Sequence, residues 1–208
     1  VSLEGGLTRR ALLQHGTLVG GAALLAGWVP FPRAAKAAAE SSEPAVLSPR
    51  QWLVLEAMTA RIIPTDAQPG AREAGCVNFI DKALANEEAA ALPLYQAALA
   101  ATDAASTSIH GASFIDLTPE QQDAVLARLE SGTAKGWPAE APPSPVFFEA
   151  VRAHTVIGFL ADPKYGGNRD FSGWKVTGYP GPRHRLGGYS AEQMSGKAPV
   201  RTVWGDDQ

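Results

Sequence analysis

Apolar positions recur at helical spacing in five stretches of the chain, and no stretch of useful length alternates apolar with polar as a strand would. The first, "LSPRQWLVLEAMTARIIPTD", has Ser48 as an N-cap, Pro49 at the first helical position and Gln51 closing a capping box. Trp52, Leu55, Met58 or Thr59, and Ile62 fall on one face, and Pro64 stops the helix. The next stretch, "GAREAGCVNFIDKALAN", places Val77, Ile80, Ala83 and Leu84 together. A third, alanine-rich stretch has Leu92, Tyr95, Leu99 and Thr102 as its stripe, with Pro93 confined to the first turn unless it kinks the helix. The fourth, "DLTPEQQDAVLARLESG", is punctuated at both ends. Thr118 caps, Pro119 starts, Gln121 reaches back and Gly132 closes, with Val125, Leu126 and Leu129 inward. In the fifth, "SPVFFEAVRAHTVIGFLADP", Ser144 is read as the cap and Pro145 as the start. Phe147, Phe148, Val151, Thr155, Ile157 and Leu160 are its inward candidates.

The pattern therefore predicts an all-α fold, a small bundle of about five helices over residues 48–160. A different kind of sequence follows. "ADPKYGGNRDFSGWKVTGYPG", residues 161–181, holds five glycines and four aromatics with neither helical nor alternating period. With the tail it makes an irregular segment over 161–208. Such a long loop in a compact chain is usually functional or disordered, and its aromatics argue against disorder.

The N-terminus has a separate logic. Thr8-Arg9-Arg10 precedes an apolar run from Ala11 to Val29, and small residues from Ala34 to Ala39 follow. A basic head, an apolar middle and an Ala-x-Ala exit are the parts of an export signal, and the pair Arg9 and Arg10 marks the twin-arginine type. Residues 1–39 are read as that signal and 40–47 as a linker. Cuts after Ala37 and after Ala39 both fit. An uncleaved anchor is the competing reading, which four glycines, Gln14 and His15 weaken. The twin-arginine route exports folded cargo to the periplasm, and its translocase becomes an expected partner.

The 208 residues carry a net charge of −3, which gives no reason to expect a nucleic-acid partner. Removing residues 1–39 would take four of the 18 basic and one of the 21 acidic residues, moving the net charge to −6. The single cysteine, Cys76, can form no intramolecular disulfide and reads as a small buried hydrophobe.

Tests for chemistry of the chain's own return little. His110, His154 and His184 share no metal-ligand spacing with one another or with Cys76, and His154 reads as a hydrogen-bonded helix residue. Asp162, Asn168 and Asp170 miss the spacing of a calcium loop and read as capping and turn residues. No dinucleotide fingerprint, serine elbow or haem-attachment motif is present. The expectation is a chain with no catalytic, metal or cofactor-binding residues of its own.

Asp162-Pro163, Tyr165-Gly166-Gly167-Asn168, Trp174-Lys175 and Gly178-Tyr179-Pro180-Gly181 closely resemble the signature of the gluconate 2-dehydrogenase subunit 3 family. The twin-arginine start, "RIIPTD" and "EAGCVNFID" are similar to family features too, so the resemblance spans most of residues 48–182. It implies a non-catalytic accessory subunit. Its large partner carries FAD and oxidises the sugar, and a c-type cytochrome subunit often completes the complex. The small chain supplies the export signal and supports maturation of the flavoprotein. Tyr165, Asn168, Arg169, Phe171, Trp174, Lys175 and Tyr179 are then the interface candidates, since glycines allow close backbone approach and Tyr and Trp favour interface cores. The competing reading is a free periplasmic module that stacks carbohydrate on these aromatics.

Overall fold

The computed structural model describes residues 44–182 and 188–204. The chain divides into two compact units, Val1–Arg33 and Ala34–Gln208. The first lies outside the described residues, and so do Arg9, Arg10 and the remainder of the export signal.

Among the described residues the structure is helical. Five long helices, α1 (Pro49–Ile62), α2 (Cys76–Ala85), α3 (Leu92–His110), α4 (Pro119–Ser131) and α5 (Ser144–Leu160), form the bundle. α1 and α5 each pack against all four others. For α5 this follows from composition, because it is apolar on nearly every face. The core gathers Leu55, Met58, Ile80, Leu84, Tyr95, Leu99, Val125, Leu129, Phe147 and Val151, all fully or almost fully enclosed.

Both capping boxes form as read. The Ser48 and Thr118 side chains accept from the backbone N–H of Gln51 and Gln121, whose side chains reach back. Gly132 closes α4 at φ +71°, with Thr133 N–H donating to Arg128 and Gly132 N–H to Leu129, the two bonds of a Schellman motif. Ser144 corrects its expectation. It is the first residue of α5 rather than the cap, and its buried hydroxyl donates to the Leu129 carbonyl at 3.0 Å. One side chain thereby ties the start of α5 to the end of α4. Ile157 is a second correction. It is 49% exposed, and Gly158 and Phe159 take the inward positions of that turn.

The end of the linker is held. The buried Asp81 carboxylate on α2 accepts from three consecutive backbone N–H groups, those of Ala45, Val46 and Leu47. Backbone at 45–47 is thus fixed before α1 begins.

His154 belongs to the core. The Tyr95 hydroxyl shares a 2.6 Å hydrogen bond with His154 Nδ1, and His154 Nε2 lies 3.1 Å from Glu88 Oε2. Burial pushes the Tyr95 pKa far above its ordinary value, so the hydroxyl stays a donor. Nδ1 then accepts, and Nε2–H faces Glu88. The bond from His154 holds the Glu88 carboxyl below the usual carboxylate range. The Tyr95 shift makes stability complete below the ordinary tyrosine pKa of 10.0 and erodes it as pH rises above that value. Denaturation midpoints measured from about pH 8 to about pH 11 are expected to fall above about pH 10, and to fall less steeply in Tyr95→Phe. An identical alkaline slope in the variant would contradict this assignment.

Candidate interface segment

The Gly/aromatic segment is ordered on the bundle. Asp162 starts it, its Oδ1 accepting from Lys164 N–H at 3.1 Å and capping a short 3-10 turn, Pro163–Tyr165. Partial burial raises the Asp162 pKa, while the Lys164 N–H bond and the Lys164 charge oppose the shift. A second such turn, Arg169–Phe171, leads into a short helix, α6 (Ser172–Thr177). Gly178 ends α6 at φ +71° with another Schellman pair, Tyr179 N–H to Trp174 and Gly178 N–H to Lys175. The irregular reading of residues 161–181 misses this helix.

Two glycines set how closely the segment lies on α5. A Cβ at Gly167 would stand 2.1 Å from the Gly158 carbonyl oxygen, and one at Gly173 would stand 1.7 Å from that of Phe159. These are backbone-on-backbone contacts, which no side chain can relieve by rotating. Gly158 is itself needed, because a Cβ there would press on the Phe79 ring of α2 at 3.0–3.1 Å. A glycine inside a helix costs about 1 kcal/mol against alanine, and here close packing on two sides explains it.

Asn168 locks the loop. Fully buried, its Nδ2 donates to the Ala161 carbonyl and its Oδ1 accepts from Gly173 N–H, both at 2.8 Å. Arg169 N–H donates to Ala74 in the turn before α2, and Trp174 Nε1–H to the Leu160 carbonyl at the end of α5. Ser172 Oγ donates to the Arg169 carbonyl at 2.6 Å. The turn is strained. Asn168, Asp170 and Phe171 have φ of 47°, 55° and 57°, a region that costs a non-glycine residue on the order of 1–3 kcal/mol.

The interface candidates separate accordingly. Asn168 and Trp174 are turned into the chain's own structure. Tyr165 is half-buried and packs on the core. Phe171 is half-buried and stacks on Trp174 at 5.4 Å between centroids, and Tyr179 meets Trp174 edge-on at 5.1 Å. Arg169, Lys175 and Tyr179 are exposed. The tail returns here as well, with the Lys164 ammonium lying over the Trp204 ring. Missed by sequence reasoning were Gly158 and Phe159, and also Asn78 and Lys82 of α2, which flank the segment. An unexplained glycine inside a helical pattern was the one signal available for Gly158.

Cys76 is buried and its thiol pKa is pushed up by desolvation, which removes the reactive thiolate. Among the described residues no cluster of three or more His, Cys, Asp and Glu side chains could hold a metal ion. His184 lies outside the described residues.

Fold and segment together define a small all-α protein whose distinguishing feature is a preformed glycine–aromatic face. The sequence profile of the family described as gluconate 2-dehydrogenase subunit 3 matches residues 49–181, from the first residue of α1 to the last glycine of the segment. The chain belongs to that family. No curated protein and no solved structure matches it.

Gly167→Ala and Gly173→Ala are each expected to lower stability by about 1–3 kcal/mol, because the added methyl meets fixed backbone. Asn168→Ala is expected to cost about the same by orphaning buried Gly173 N–H. Urea midpoints of the purified chain check all three, and neutral alanine variants would contradict the packing.

Proposed function

We propose that the chain is the non-catalytic small subunit of an exported, FAD-dependent dehydrogenase complex that oxidises a sugar or sugar acid. The observation that carries the proposal is the family match, whose name is that of a subunit and whose extent includes the whole glycine–aromatic segment. The large subunit holds FAD and the substrate, and a c-type cytochrome passes electrons onward. The Arg9-Arg10 signal takes the folded pair through the twin-arginine translocase to the periplasm. The chain also supports folding and maturation of its partner.

The interface reading is supported by a rigid face available before any partner arrives, since a preordered surface loses less entropy on binding. Phe171, Lys175 and Tyr179 supply its outward groups. A carbohydrate platform is harder to build from the same residues, because Phe171 covers one face of Trp174 and Tyr179 packs edge-on against its ring.

Affinity purification of the chain from its native host is expected to bring down a larger polypeptide with flavin absorption. Deleting the chain is expected to leave that polypeptide in the cytoplasm or degraded. A colourless single chain, or normal export of the flavoprotein in the deletion strain, would overturn the proposal.

A further inference from the structure

Three hydrogen-bond donors stand where the segment crosses α2. Gly75 and Gly166 meet there, a Cβ on Gly75 lying 3.5 Å from the Gly166 carbonyl oxygen. Around this junction stand Arg169, Asn78 and Lys82. A Cβ added at Gly75 would stand 3.2 Å from Arg169 Nη2 and 3.0 Å from Asn78 Nδ2, and one added at Gly166 would stand 2.9 Å from Lys82 Nζ. Asn78 and Lys82 are one helical turn apart on α2, so they share a face. Both glycines have positive φ, +68° and +96°, so neither adds a side chain to the junction, and the Lys82 chain lies across Gly166.

Among the described residues no carboxylate pairs directly with them. Among the described residues neither Lys82 nor Arg169 makes an ion pair, and the Asn78 amide has no hydrogen-bond partner. The neighbouring carboxylates are occupied: Asp81 by the N–H groups of residues 45–47, and Glu73 by the Thr65 hydroxyl at 2.6 Å and Gly70 N–H at 2.8 Å. Asp170 follows Arg169 in the strained turn without pairing to it. Burial lowers the Lys82 pKa and the Arg169 charge lowers it further, while the Asp81 charge partly opposes them, so the two cations are near enough to repel each other. A lysine in the last turn of α2 suits the helix dipole, but that does not account for Arg169 brought up beside it.

We infer that Lys82, Arg169 and Asn78 form a socket for a carboxylate side chain, Asp or Glu, of the partner subunit. The inference rests on the reading of the chain as one subunit of a complex. Charge complementarity selects the occupant, and position supports it, because Arg169 lies in the same turn as Phe171. An acidic residue seated in the socket would place its neighbours against the Phe171–Trp174–Tyr179 cluster. A guanidinium, an amide and an ammonium around one carboxylate also set its orientation, so the socket fixes register as well as contributing affinity.

The test uses the intact complex of the full-length chain with its partner. Carbodiimide joins a lysine amine to a carboxylate only where the two already touch. The expected product is an amide bond between Lys82 and an Asp or Glu of the partner, identified by mass spectrometry. Lys82 recovered unlinked, or linked only within its own chain, while other lysines cross-link to the partner, would overturn the inference. As a second measurement, the double variant Lys82→Gln, Arg169→Gln is expected to weaken association about tenfold or more and to flatten its salt dependence. Its own melting temperature is expected to be unchanged or raised. Association and salt dependence equal to wild type would overturn the socket while leaving the subunit reading intact. Absence of any complex with the wild-type chain would instead strike the subunit reading.

Discussion

The backbone at Gly167 and Gly173 lies directly on the last turn of α5, and the arrangement of the glycine–aromatic segment follows from that contact. It requires hydrogen in place of a side chain at Gly167 and Gly173 on one surface and at Gly158 on the other. Once the two backbones are that close, Asn168 can bridge Ala161 and Gly173, and Trp174 can reach the Leu160 carbonyl. The left-handed turn at Asn168, Asp170 and Phe171 is the conformational consequence, and the surrounding bonds hold it there. Alanine at these glycines would do more than add a methyl group. It would lift the segment from the helix and release every contact built on it.

The helical bundle was legible in the sequence because its punctuation is local. Ser48 with Gln51, Thr118 with Gln121, and the Gly132 stop each act within a few residues, so they read the same in isolation as in the fold. What could not be read depends on tertiary contact. The Ser144 hydroxyl looks like a cap until the Leu129 carbonyl arrives beside it. Ile157 looks inward because α5 is apolar on nearly every face, and a helix of that kind gives no rotational cue. α6 escaped notice because its entrance is the left-handed Phe171 rather than a capping side chain, and because six residues are too few to establish a period.

The candidate site was legible as a stretch and not as a set of roles. Its glycines and aromatics mark 161–181 as special, yet composition cannot say which aromatics point outward. The structure divides them: Trp174 seals the segment to α5, while Tyr179 and part of Phe171 remain at the surface. Lys82 and Asn78, 87 and 91 positions before Arg169, were invisible because nothing in the sequence signals that α2 passes the same junction. In the proposed complex, the aromatic patch beside Lys82 and Arg169 would combine area with register, which suits one subunit docking on another.

That the segment is ordered by its own bundle, before any partner binds, is the central claim. Amide hydrogen exchange of the isolated chain tests it most directly. The N–H groups of Arg169, Gly173 and Tyr179 are bonded to Ala74, Asn168 and Trp174, and the account predicts slow exchange at all three in the absence of other subunits. Exchange at the rate of an unstructured peptide, slowing only when the partner is added, would contradict it.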